Sequence, residues 1–121
     1  EYNQAREELV KQRRATERQT RDNYRGVLAG ISKVEALRNA VLSNEKAVEA
    51  AEAGFEVGTR ASIDVLDAQR DLLAARRDYA RSRYDYLLNT LELKQAAGIL
   101  AATDLAQVNE LLVEYNNYVP P

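Results

Sequence analysis

The chain has 121 residues, 45% hydrophobic but only 7% aromatic, with Tyr supplying 7 of the aromatics and Phe 1. A net charge of −2 is not the basic excess of a nucleic-acid-binding protein, and the lack of Cys excludes disulfides and thiolate metal sites. His is absent too, so the common general base and the usual transition-metal ligands are missing; neither an enzyme nor a bound cofactor or metal is expected.

This length would suit one ordinary globular domain, but the composition points elsewhere. Much of the apolar share is alanine, which packs helices closely without building a thick core. Pro occurs only as Pro120 and Pro121, so nothing interrupts a helix before the C-terminal end. The expectation is an all-α, elongated chain without β-strands. No run approaches the roughly 18 apolar residues of a membrane-spanning helix, and no signal-peptide pattern opens the sequence. Beginning at Glu1 without Met, it reads as a processed or excised single helical piece.

Residues 2–57 read as one long helix, about 80 Å at 1.5 Å per residue. Val27, Val34, Val41, Val48 and Phe55 recur every seven residues as a coiled-coil seam. Gly30, Leu37, Asn44 and Ala51 form a second, mostly small stripe beside it. Gly26 and Gly30 at GxxxG spacing mark close packing. Upstream of Tyr24 the seam gives way to charge: Lys11, Arg13, Arg14, Arg18, Arg21 and Arg25 interleave with Glu7, Glu8, Glu17 and Asp22. This reads as a solvated face with pairs such as Glu17–Arg21, because no aromatic stacking platform accompanies the cations.

Residues 58–61 break the periodicity, and Gly58 is placed to take the left-handed conformation that ends a helix. A second long helix over 62–97 follows, with Ser62 as its N-cap. Val65, Leu72, Tyr79, Tyr86 and Leu93 keep the seven-residue spacing; Leu66, Leu73, Ala80 and Leu87 run beside them, with a small stripe of Ala68, Ala75, Ser82, Asn89 and Ala96. That apolar surface is wider than a two-stranded seam needs. Each helix should therefore touch more than one neighbour, and the piece should self-associate. Asp64, Asp71, Asp78, Asp85 and Glu92 form an acidic line at the same spacing. As a whole it reads as an exposed face, with Arg81 a partner for Asp78. Gly98 caps this helix; Thr103 as N-cap starts a short helix over 103–114, whose apolar face is Leu105, Val108, Leu111 and Leu112. An irregular tail over 115–121 closes the chain.

The turn carries more chemistry than closure requires. Arg60 brings five donors and a permanent charge, and Asp64 and Asp67 project carboxylates from the start of the second helix. The positive end of the helix dipole explains Asp64 but explains Asp67 poorly. As an acid–base pair the two would need a pocket that a single hairpin does not make.

The run Ala53-Gly54-Phe55-Glu56-Val57-Gly58-Thr59-Arg60, followed by Asp64-Val65-Leu66-Asp67 and by Ala80-Arg81-Ser82-Arg83-Tyr84-Asp85-Tyr86-Leu87, closely resembles the second long hairpin of TolC-family outer-membrane efflux channels. The resemblance covers nearly the whole chain, most specifically residues 51–98, and is weaker before Val27. It implies a trimeric channel with a β-barrel in the outer membrane and an α-helical tunnel crossing the periplasm of a Gram-negative bacterium. The chain would supply the helical part of one repeat and be soluble by itself. Family positions carry over residue by residue. Arg60 matches an arginine that helps hold the periplasmic entrance closed; Phe55 stands where the family often has a tyrosine, and it lacks the hydroxyl of that latch, leaving packing as its contribution. Asp64 and Asp67 match aspartates that converge as an acidic ring at the pore constriction, where three copies would repel one another and attract cations. Gly54, Val57, Gly58, Thr59 and Arg60 correspond to the tip that meets a periplasmic adaptor protein and, through it, an inner-membrane pump.

The reading that follows is a periplasmic hairpin of a channel subunit, serving efflux or type I secretion, with no nucleic-acid partner. Its competitors are a plain antiparallel coiled-coil scaffold, which leaves Arg60, Asp64 and Asp67 unexplained, and the helical hairpin of an adaptor, which should be flanked by strand segments. A helix binding RNA or a membrane surface through Arg13–Arg25 is the remaining class.

Overall fold

A computed structural model describes the backbone of residues 1–116 and the side chains of residues 1–111. Three helices make up the described chain, α1 (Tyr2–Glu56), α2 (Ser62–Ala96) and α3 (Ala102–Asn116), with no strand among the described residues. The fold class is the expected one, an antiparallel helical hairpin with a short C-terminal helix. Of the tail expected to be irregular, residues 115 and 116 instead continue α3, and residues 117–121 lie outside the described part. No described helix is long and apolar enough to cross a membrane.

The chain divides into two compact units. One comprises Leu28–Tyr86, the C-terminal half of α1, the turn and most of α2. Here the heptad stripes do what their spacing predicts. Val34, Leu37, Val41, Asn44 and Val48 on α1, and Val65, Ala68, Leu72, Ala75 and Tyr79 on α2, are half-buried. Ala51 and Ser82 are the fully buried residues. Gly30 sits against Tyr86: a Cβ there would lie 3.4 Å from the ring edge, an ordinary van der Waals contact, so this ring crosses the seam close to the α1 backbone. The polar members satisfy themselves within their own helices. Asn44 donates to the Ala40 carbonyl at 2.8 Å and Ser82 to that of Tyr79 at 2.7 Å, so neither leaves a buried donor unpaired.

Along the margins of the seam, Glu45 pairs with Arg76 at 3.0 Å, Lys33 with Asp85 at 3.9 Å, and Gln69 donates to Glu52 at 3.4 Å. Each such exposed link is worth no more than about 1 kcal/mol. They guide register more than they hold the helices together. Asp78 pairs with its neighbour Arg77 at 3.1 Å rather than with Arg81. Leu66 and Leu73 remain 52% and 65% exposed, and Leu42 52%. A seam this narrow covers only one face of each helix, so the second apolar stripe of α2 is left exposed at Leu66 and Leu73 while Ala80 is half-buried.

The other unit comprises Glu1–Val27 and the chain from Leu87 onward. Asn23 reaches the Glu92 carbonyl at 3.4 Å, and Gly26 lies near Asn89. The first 14 residues are exposed throughout, including Tyr2 at 80% and Leu9 at 68%. The fading of the seam above Tyr24 is thus real, but α1 stays helical. Thr16 and Thr20 bond back to the carbonyls of Gln12 and Thr16. Glu17 pairs backward with Arg13 at 3.2 Å, not forward with Arg21. On α3, Val108 is half-buried while Leu105 and Leu111 are about half exposed.

Candidate functional site

The hairpin tip is assembled almost entirely by backbone hydrogen bonds. Gly58 has φ +78°, and its N–H donates to the Phe55 carbonyl at 3.1 Å while the Thr59 N–H donates to that of Gly54 at 2.8 Å. These are the two bonds of a Schellman motif, with glycine at the left-handed position. The Gly54 carbonyl takes two further donors, the Arg60 N–H at 3.1 Å and the Thr59 hydroxyl at 3.1 Å. One carbonyl near the end of α1 therefore anchors both Thr59 and Arg60.

Gly54 serves a second purpose. A Cβ at this position would lie 2.8 Å from Cγ and 3.0 Å from Cδ of Arg60. The aliphatic stem of Arg60 crosses the bare face of Gly54, which fixes where the guanidinium leaves the turn. Among the described residues that guanidinium has no hydrogen-bond or ion-pair partner. A permanent charge held by its stem and left open at its head is available to a group outside the chain.

The start of α2 differs from expectation. Ala61, not Ser62, occupies the N-cap position, and Asp64 is at the third helical position. The Asp64 carboxylate accepts the Ala61 N–H at 3.1 Å, while the Asp64 N–H donates to the Ala61 carbonyl at 3.1 Å. This is the reciprocal half of a capping box, in which the side chain reaches back from the third helical position. Asp67 lies 3.6 Å from Arg70 in an exposed pair. Asp64 thus has a local structural task and Asp67 a weak local partner. Among the described residues no cluster of acidic side chains could hold a metal ion.

Phe55, expected to extend the Val27–Val48 line, is 52% exposed, whereas Gly54 beside it is half-buried. Ala51 is the last fully buried residue of α1, which ends at Glu56, one residue after Phe55. With Val57 at 73% and Ile63 at 53% exposed, Phe55 gives the tip an apolar rim around Arg60 and Thr59. Ile63 was not legible as part of this site; its one clue is that it lies two residues off the Val65–Leu93 heptad line.

Residues 1–99 match the profile of a family described as outer membrane efflux protein. The chain is similar to the outer membrane protein TolC of Vibrio cholerae, at 41% identity over 108 residues, covering 89% of this chain and 25% of that protein. It is also similar to outer membrane protein TolC of Escherichia coli K12 and of Salmonella enteritidis, each at 39% identity over 108 residues, covering 89% of this chain and 22% of theirs. The chain therefore spans about a quarter of the length of these relatives.

Proposed function

Because the chain belongs to the outer membrane efflux protein family, we propose that it is a periplasmic helical segment of a trimeric channel, whose tip gates the entrance and docks an adaptor. The observation that carries this reading is the held but unpartnered Arg60, its stem seated on Gly54 and its guanidinium open. In a closed channel that guanidinium pairs with an acceptor outside this hairpin, and the pair breaks when the adaptor and its pump engage. A rigid tip that turns on its seam fits a hinge-like opening.

The remaining exposed surfaces support the same reading. Leu66 and Leu73 on α2 and Leu28, Ile31 and Leu42 on α1 are each about half exposed or more, as helices with neighbours on both sides in a tunnel wall would be. Asp64 and Asp67 then face the axis in three copies and form an acidic constriction that favours cations. Gly54, Val57, Gly58, Thr59 and Arg60 meet the adaptor, within the apolar rim of Phe55, Val57 and Ile63. An independent scaffold would have no use for an unpaired arginine at its turn.

The test is Arg60→Ala in the full-length parent protein, read as single-channel conductance in planar bilayers. The reading predicts a higher conductance at unchanged trimer yield. Unchanged conductance would remove Arg60 from the gate.

A further inference from the structure

The N-terminal part of α1 carries a feature that channel gating at the tip does not absorb. Lys11, Arg14, Arg18, Arg21 and Arg25 follow one another at spacings of three and four residues. At about 100° per residue these five positions fall within an arc of about 80°, running about 21 Å along the helix. Between residues 11 and 25 no other residue falls in that arc. The stripe ends at Glu7, which continues the same line toward the N-terminus, and Glu17 and Asp22 lie on its two flanks.

The stripe faces away from α2. Asn23, which reaches the Glu92 carbonyl, lies on the opposite side of the helix, as do the half-buried Thr20 and Val27. All five cations are exposed. Lys11 has one loose partner, Glu8 at 4.0 Å, and Glu17 is taken by Arg13. Among the described residues the side chains of Arg14, Arg18, Arg21 and Arg25 have no ion pair or hydrogen bond. Successive members are like-charge neighbours at i,i+3 and i,i+4, an arrangement that disfavours the helix. The chain as a whole is acidic, so the stripe is no by-product of a basic composition.

We propose that this stripe is a docking surface for a partner protein that presents a helix with carboxylates at the same three- and four-residue spacing. Charge and period together choose that occupant. Cations at heptad spacing meet the carboxylates of a second helix one for one, and four of the five are arginines, whose planar fork grips carboxylates at two points. A nucleic acid is disfavoured because no aromatic side chain interrupts the stripe to stack on bases. A lipid surface is disfavoured because bilayer-surface helices insert an apolar face beside their cations. Here the flanks hold Glu17 and Asp22 instead.

The test uses the full chain and a synthetic helical peptide bearing Glu at alternating three- and four-residue spacing, with a same-composition peptide whose Glu residues are dispersed as control. Binding is followed by fluorescence anisotropy. The spaced peptide is expected to bind at least about tenfold more tightly than the dispersed one, and to weaken by about tenfold or more between about 0.05 M and 0.5 M salt. The triple variant Arg14→Gln, Arg18→Gln, Arg21→Gln, checked for unchanged helicity by circular dichroism, should lose that preference. Equal binding of the two peptides, or none, overturns the proposal. So does tighter, Arg-dependent binding to phosphatidylglycerol vesicles or to single-stranded RNA, which would reassign the stripe. Salt-sensitive self-association abolished by the same triple variant would make the occupant a second copy and overturn it equally.

Discussion

Two connections in this chain are built on the same plan, and they differ where it matters. Gly58, Ala61 and Asp64 at the hairpin tip correspond to Gly98, Ala101 and Asp104 between α2 and α3. Both glycines have positive φ, +78° and +71°. Both turns close with the same pair of bonds, from Gly98 to Gln95 and from Ile99 to Lys94 in the second. Both following helices have alanine at the N-cap and an aspartate reaching back to its N–H, at 2.9 Å for Asp104. At the second turn, however, Lys94 also hydrogen-bonds Asp104, whose side chain is 14% exposed. That lysine and the Ala101 N–H hold the Asp104 carboxyl below its ordinary pKa. At the tip no cation pairs with Asp64 among the described residues, and Arg60 is exposed with its guanidinium unpartnered. One closure neutralises itself; the other leaves both signs of charge for something else. An identical backbone solution thus gives one corner closed on its own charges and another left open, by side chains alone.

The largest expected effect tests the shared part of the plan. Gly58→Ala and Gly98→Ala should each destabilise by about 1–2 kcal/mol, because an L side chain is strained at positive φ. A Cβ at either position meets nothing within 4 Å, so the two losses should be equal and purely conformational. Thermal unfolding followed by circular dichroism measures both, and a tip glycine that tolerates alanine would break the equivalence.

Next comes the difference between the aspartates. Asp104→Asn should lower the melting temperature at pH 7 more than Asp64→Asn, since it removes the Lys94 pair as well as the cap. The Asp104 pKa is lowered in the folded chain from 3.8. Its contribution is therefore complete above the unfolded value and is lost as pH falls through the lower folded one. The gap between wild type and Asp104→Asn should close below about pH 4. A gap that persists into stronger acid would mean that the carboxylate charge is not what holds α3.

Gly54 and Arg60 should couple. Alanine is favoured over glycine within a helix by about 1 kcal/mol, but in the wild-type background its Cβ collides with the Arg60 stem. Gly54→Ala should then be close to neutral alone and stabilising by about 1 kcal/mol in an Arg60→Ala background. Additivity of the two changes would show that the stem does not rest on Gly54. The smallest effect belongs to the exposed Asp67–Arg70 pair, where Arg70→Ala should shift stability by under about 0.5 kcal/mol.

The long-range pattern was legible because it is periodic. Val34 to Val48 and Val65 to Tyr79 face the seam as their spacing requires, and Gly58 ends α1 as a glycine should. The caps were misread for a specific reason. Sequence rules look for an oxygen-bearing side chain at the N-cap, which singled out Ser62 and Thr103. Here the oxygen comes from the third helical position, from Asp64 and Asp104, so a featureless alanine can stand at the cap. Phe55 was misplaced because heptad spacing does not say where its partner helix ends. A gating role for Arg60, or a ring formed by Asp64 and Asp67, depends on copies and partners that no single chain contains.

The most direct test of the central claim is disulfide crosslinking in the full-length parent. Single cysteines at Val57 and Thr59, both exposed at the tip, are paired with cysteines on the hairpin of a co-expressed periplasmic adaptor. Glu49, exposed on α1, is the control. The account predicts crosslinks at Val57 and Thr59 and none at Glu49. Equal crosslinking at all three, or crosslinking at Glu49 alone, would contradict the assignment of the tip as the docking surface.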